Sequence, residues 1–266
     1  MSPRGKNKSE VPVSRLVIAS NRLPVALVRD EGGAWTAKPG SGGLVTALAP
    51  VLRDRGGTWI GWTGTTREDD VDVSVLANAT ADVGYDLVPV TLSAADRDGY
   101  YYGFTNATLW PLFHDLQTAA SYEAAHWQAF LRVNNAFADE VAKHAADDAF
   151  VWIQDYHLFH VARGLRQRGV RSRLGFFLHI PFPPLDIFAR LPWRAEILRG
   201  LLAHDLVGFQ TPRDRRNFLG CLRHLLPEAT VLGRDQKLVH VTHEERSVAV
   251  GAFPIGIDFN EFANHA

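Results

Sequence analysis

The sequence is short of what several function classes require. It holds one cysteine, Cys221, among 266 residues. A single thiol closes no intramolecular disulfide and builds no Cys-rich zinc site, which fits a reducing cytoplasm. Neither sign of charge is in excess, since 28 Lys+Arg stand against 29 Asp+Glu. Broad nucleic-acid binding needs a basic surplus and is therefore not expected, although one small anion site remains compatible. No apolar run reaches membrane-spanning length. The first ten residues are polar and basic without an apolar stretch, so they do not read as a secretory signal. Residues 1–13 are expected to form a disordered tail, and 14–266 one domain. HExxH, GxGxxG, P-loop and GxSxG patterns are all missing. Two DxD patterns, Asp70-Val71-Asp72 and Asp96-Arg97-Asp98, sit in polar surroundings and read as solvated loops. No metal signature follows from them.

What is present alternates. Arg15–Ser20 (RLVIAS) is a β-branched run that reads as a buried strand. A Gly/Pro-rich stretch follows, with a hairpin around Glu31–Gly33 between Val25–Val28 and Ala34–Ala37. Apolar Val45, Leu48, Val51 and Leu52 have helical spacing. Thr58–Trp62 and Tyr85–Val90 read as strands, and Ser121–His144 as a long amphipathic helix. Trp127, Phe130, Leu131, Phe137 and Val141 form its stripe, with polar Asn134 interrupting it. The second half reads strand Phe150–Gln154, helix Leu158–Arg168, strand Arg173–His179, helix Trp193–Leu202, strand Asp205–Phe209, a helix opened by Thr211-Pro212-Arg213-Asp214, and strand Val248–Ile255. Such alternation predicts an α/β fold, a mostly parallel Rossmann-like sheet with helices on both faces. Ligands of such sheets bind beyond the carboxyl ends of the strands.

The residues at those ends are therefore the candidates. Arg22 follows the first strand, where a planar cation suits phosphate or carboxylate; a surface ion pair is the plainer reading. Gly42-Gly43 precedes a helix, where free N–H groups and close backbone approach suit an anion, although turns also use such pairs. Asp155 follows Phe150–Gln154 and suits sugar hydroxyls or, equally, a helix N-cap. His179 follows the next strand, before a rigid proline loop, and is placed to donate to a ligand oxygen or to be a core histidine. His157 and His160 lie beside the helix after Asp155 and are less telling. Tyr100–Asp115 is the densest aromatic stretch, suited to sugar faces or to a packed core corner.

Taken together, seven collinear stretches closely resemble the trehalose-6-phosphate synthases of glycosyltransferase family 20, most of all their actinobacterial branch. They are Ser20–Val25 (SNRLPV), Gly42-Gly43-Leu44, Tyr101–Trp110, Trp152–Leu158 (WIQDYHL), Gly175–Pro183 (GFFLHIPFP), Asp205–Gln210 and Phe253–Asp258. One departure is Gln154, where many relatives have His. The resemblance implies the N-terminal lobe of a two-lobed GT-B enzyme that moves glucose, with retention, from a nucleotide-glucose (usually UDP-glucose) to glucose 6-phosphate. It implies that Arg22 holds the acceptor phosphate, that Tyr101 supports the same phosphate or its sugar, and that Trp110 walls the pocket. Asp155 would bind acceptor hydroxyls, and His179 would contact the donor glucose near the reacting carbon. Those two are the catalytic candidates. Gly42 and Gly43 would line the donor through backbone N–H groups. It implies no metal and no cofactor, the nucleotide-sugar being a co-substrate, and a cytoplasmic, self-associating protein. The nucleotide-binding C-terminal lobe is absent from these residues, so the chain is expected to be inactive alone. A glucosylglycerol-phosphate synthase, or a non-catalytic sugar-phosphate-binding subunit, would keep the same acceptor residues.

Overall fold

A computed structural model describes residues 15–40, 42–69, 71, 74–233 and 237–256. The expected tail, Asp70, Asp72 and the end of the Phe253–Asp258 stretch lie outside the described residues. The strands are β1 (Leu16–Arg22), β2 (Val25–Arg29), β3 (Trp35–Pro39), β4 (Gly57–Thr66), β5 (Asp86–Leu92), β6 (Phe150–Gln154), β7 (Arg173–Leu178), β8 (Leu206–Phe209), β9 (Thr230–Leu232), β10 (Leu238–His243) and β11 (Arg246–Ala252). Nine of them form one sheet in the order β5-β4-β1-β6-β7-β8-β11-β10-β9, and β2 pairs with β3 as the expected hairpin. The pairings from β5 to β11 are parallel, while β10 and β9 add an antiparallel edge.

Alternation along β1 divides the core. Leu16 and Ile18 enter one apolar cluster, Val17 and Ala19 the other, on the opposite face of the sheet. Helices α1 (Gly43–Arg55) and α2 (Ser74–Val83) come from the first half of the chain. Leu48 and Leu52 of α1 and Leu76 of α2 join Leu16 and Ile18 with the hairpin side chains Val25 and Leu27. A continuous helical stretch follows: α3 (Ala94–Asp96), a π-helical run over Arg97–Leu109, and α4 (Trp110–Phe113). Then come α5 (Ala124–His144), α6 (Val161–Gln167), α7 (Leu185–Phe188), α8 (Arg194–Leu201) and α9 (Pro212–Leu225). Side chains from the π-helical run and from α5, α6, α8 and α9 join Val17 and Ala19 in the larger cluster. Thr211 caps α9 as its sequence promised, its Oγ1 accepting from the Asp214 backbone N–H at 3.2 Å.

Three expectations change. The helix read over Leu158–Arg168 is a 3-10 turn at Tyr156–Leu158 followed by α6. The Asp96-Arg97-Asp98 stretch is helical, not a loop, with Asp96 paired to Arg132 and Asp98 to Arg97. The last strand begins at Arg246, ahead of Val248, and pairs with β10 through a turn in which Glu244 and Glu245 both have positive φ. In the sheet order, the chain runs outward from β1 to β4 on one side and to β6 on the other. The crevice between β1 and β6 is therefore the topological switch point.

Candidate active site at the strand carboxyl ends

Arg22 closes β1 beside this crevice. It pairs in register with Trp62 of β4, and the Leu23 backbone N–H donates to the Trp62 carbonyl at 3.0 Å. That pairing lays the guanidinium over the Trp62 ring, 4.7 Å from its centroid. Among the described residues no carboxylate pairs with Arg22, so the plainer reading of a surface ion pair fails. Crowding lowers its pKa, and the nearby Tyr101 and Tyr102 hydroxyls act in the opposite sense. The group stays cationic regardless. The result is an uncompensated planar cation at the mouth of the switch point.

Tyr101 packs edge-on to Trp62 at 5.5 Å and stacks on His157 at 6.1 Å. His157 in turn lies 3.9 Å from Tyr156, and Tyr156 lies 5.9 Å from Trp110. These rings form one wall from Arg22 to Trp110, which is 42% exposed with the His114 ring 3.9 Å from its own. His157, the less telling of the histidines in the sequence, is therefore part of the wall. Its burial holds it neutral, with a pKa lowered to about 3. The Tyr100–Asp115 stretch serves both of its readings. Tyr100, Phe104 and Leu109 are fully buried in the core, while Tyr101 and Trp110 face the crevice wall. Tyr100 also donates to the Asn21 side chain at 2.9 Å, tying this stretch to the end of β1.

Asp155 follows β6 with φ 71 and ψ 168. That region is essentially reserved for glycine, and holding another residue there costs on the order of 1–3 kcal/mol. The surroundings impose it. The Asp155 N–H donates to Phe177 O at 2.8 Å, and its Oδ1 accepts from the His179 backbone N–H at 3.1 Å. It makes no helix-capping bond, which removes that alternative. Burial pushes its carboxyl pKa up to about 6, against backbone hydrogen bonds from His179 and Tyr156 that lower it. Asn134 anchors the segment that follows. This apparent flaw in the α5 stripe donates to His157 O and accepts from the His160 N–H, both at 3.0 Å.

His179 follows β7, adjacent to β6. Its Nε2 lies 2.9 Å from Gln154 Oε1, and burial lowers its pKa to about 4. A neutral imidazole has one N–H, so one ring nitrogen pairs with the Gln154 amide and the other is left for a ligand oxygen. Gln154 was the departure from the family pattern, and the structure gives it a partner in the site. Gly42 and Gly43 open α1 as expected, with Gly42 at the N-cap and no side-chain cap. A Cβ on either would meet nothing within 4 Å, so the helix N-terminus is open. The His179 backbone N–H bond joins His179 to Asp155, and Asp155 is followed in the chain by Tyr156 of the wall that runs from Arg22 through Tyr101 to Trp110. Among the described residues no cluster of three or more His, Cys, Asp or Glu is arranged to hold a metal ion. No described helix is long and apolar enough to cross a membrane.

Known proteins carry the same architecture. A trehalose-6-phosphate synthase of Mycolicibacterium gilvum is 46% identical over 270 residues, covering 99% of this chain and 53% of that protein. An E. coli structure bound with UDP-2-fluoro glucose superposes with a TM-score of 0.78 at 37% identity, over 95% of this chain and 51% of that one. A Burkholderia xenovorans alpha,alpha-trehalose-phosphate synthase in complex with glucose-6-phosphate gives 0.78 at 30% identity, over 94% and 52%. The chain thus spans about half the length of the relatives it matches, and its fold is that of one half of these GT-B enzymes. The glycosyltransferase family 20 model matches residues 14–266, and the chain belongs to that family.

Proposed function

We propose that this chain is the acceptor-binding half of an enzyme that transfers glucose, with retention, from a nucleotide-glucose to glucose 6-phosphate, giving trehalose 6-phosphate. The observation that carries this reading is the unpaired Arg22 guanidinium, held over Trp62 beside Tyr101 at the switch point. A cation so placed and so free suits a phosphomonoester, which it binds bidentately. Trp110, partly exposed, meets the sugar, and the Asp155 carboxylate accepts from sugar hydroxyls. His179, neutral and next to Asp155, contacts the donor sugar near the reacting carbon. The Gly42-Gly43 helix terminus offers N–H groups and the positive end of a dipole to the donor diphosphate. The incoming hydroxyl attacks from the face that the diphosphate leaves, and a departing phosphate oxygen takes its proton. Neither metal nor cofactor is assigned in this reading.

The cations that grip the donor diphosphate belong to the remainder of the full-length protein. Losing one such donor costs roughly 3 kcal/mol of transition-state stabilisation elsewhere. Turnover by residues 1–266 alone is accordingly negligible, and vigorous nucleotide-glucose-dependent product formation by them would overturn this part. Calorimetry with glucose 6-phosphate tests the site itself. Binding is expected to residues 1–266 and to weaken about tenfold in Arg22→Ala; unchanged binding in that variant sinks the phosphate assignment.

A further inference from the structure

We infer that Gln154 is a positioning residue for His179: its amide N–H donates to the imidazole Nε2, which confines the ring's one proton to Nδ1 and presents that N–H to a ligand oxygen. That the oxygen is a hydroxyl of the donor sugar rests on the proposed function; the pairing itself does not.

Strand register brings the two residues together. Gln154 ends β6 opposite Phe177 of β7, and His179 stands two positions beyond Phe177. The Phe177 ring lies 4.8 Å from the imidazole and limits its tilt. The edge contact, with Gln154 Oε1 2.9 Å from Nε2, sets its rotation. Accessibility then separates the two ring nitrogens. Nε2 faces Gln154, a residue only 1% exposed. Nδ1 has no hydrogen-bond partner among the described residues, yet it is not one of the buried nitrogens left without one. It is therefore the nitrogen open to a ligand.

The direction of the Gln154 bond follows from what each arrangement satisfies. The oxygen and nitrogen of a carboxamide occupy equivalent positions, so either can meet the ring. With the oxygen there, the amide nitrogen is closed off from solvent and both of its N–H groups lack a partner. With the nitrogen there, one N–H meets Nε2, and one N–H and the oxygen go without. An orphaned buried N–H is rarer in folded proteins than an under-satisfied carbonyl oxygen, so the second arrangement is the better satisfied. It needs Nε2 as an acceptor. Burial keeps the ring neutral, and its single proton then sits on Nδ1. The amide does not ionise, so this choice holds wherever His179 is neutral.

The test labels residues 1–266 with 15N-histidine and reads the His179 tautomer by long-range proton–nitrogen correlation NMR. The pH is about 7.5, well above the ring's pKa of about 4, and a His179→Asn spectrum identifies its resonances. In the wild type the proton is expected on Nδ1 alone. Gln154→Met, similar in size and without an amide, should release the constraint and populate the Nε2–H tautomer as well. Gln154→Glu turns an ionised acceptor toward Nε2 and should move the proton there. If the buried carboxylate prevents folding, the Met variant decides alone. Neither ligand nor turnover enters this readout, so it judges Gln154 separately from the calorimetry that judges the proposed function. A wild-type proton on Nε2, or a Met variant that keeps the wild-type tautomer, overturns the assignment. A folded Glu variant with the proton still on Nδ1 does so too.

Discussion

A Cβ at position 64 would stand 2.2 Å from an Arg22 guanidinium nitrogen and 2.4 Å from its central carbon. Gly64, at φ 92, leaves the space in which the Arg22 head rests against Trp62. The atoms that would clash are the far end of a flexible side chain, so the head would move, while the backbone at φ 92 strains any residue but glycine and costs on the order of 1–3 kcal/mol of stability. Gly64→Ala is therefore expected to act as a binding variant. It should weaken glucose 6-phosphate binding about tenfold, close to the effect of Arg22→Ala, because a displaced cation forfeits its charge-assisted bonds. The two changes should not add when combined. Calorimetry on the four members of this cycle decides it, and additive losses would refute the coupling.

Tyr101 and Trp110 stand nine positions apart, about two and a half turns of an α-helix, which would set them on opposite sides. In the π-helical run over Arg97–Leu109 the wider i→i+5 winding brings them close to two full turns apart, and both reach the same wall. In the proposed reading Trp110 meets the sugar ring and the phosphate lies at Arg22. Trp110→Ala should therefore weaken glucose 6-phosphate binding by roughly fivefold, the scale of one aromatic contact, and leave inorganic phosphate binding at the Arg22 site unchanged. Equal losses for the two ligands would show that Trp110 merely supports the wall.

The parallel sheet was legible because β1, β6 and β7 are short runs of apolar side chains ending in Arg22, Gln154 and Leu178, with helix-spaced stretches between them. The same alternation placed Arg22, Asp155 and His179 at strand ends. Trp62 was visible only as the end of a strand, since its role depends on its register with Arg22 across the β1–β4 pair. The π-helical winding was not legible, because Tyr101 and Trp110 share a face only under that winding. Strand β10 was missed for a different reason. Its turn into β11 places Glu244 and Glu245 at positive φ, where Gly or Asn would have signalled a hairpin. Asn134 read as a defect because its partners, His157 and His160, are supplied by a loop distant in sequence.

Asp155 makes the site costly to keep. Its folded pKa of about 6 lies above the ordinary 3.8, so between these values the folded chain holds a proton that the unfolded chain has lost. Stability contributed by this group is full at low pH and falls as pH rises from about 4 to about 6. Asp155→Asn removes that fall and, being of the same shape, leaves the backbone strain at this position as it is. Relative to wild type, the Asn variant should therefore gain on the order of 2–3 kcal/mol between pH 4 and pH 7. Urea unfolding of both proteins across this range measures the difference. A constant gap would mean that Asp155 titrates normally.

Histidines act in the opposite sense and outnumber it. Burial lowers the pKa of His157 to about 3 and those of His160, His179 and His204 to about 4. Unfolded, each titrates near 6.5. Between about 4 and 6.5 the unfolded chain binds more protons, so stability is full above 6.5 and is lost as pH falls toward 4. At pH 5.5 these four take up about three and a half protons on unfolding, and Asp155 releases most of one, on the ordinary titration curves. The net uptake is about three protons, a stability slope of roughly 4 kcal/mol per pH unit. Denaturation midpoints measured at pH 5.0, 5.5 and 6.0 give this slope directly. A slope near zero would require that these rings either stay charged inside the fold or reach solvent, and the neutral state of His179 would go with it.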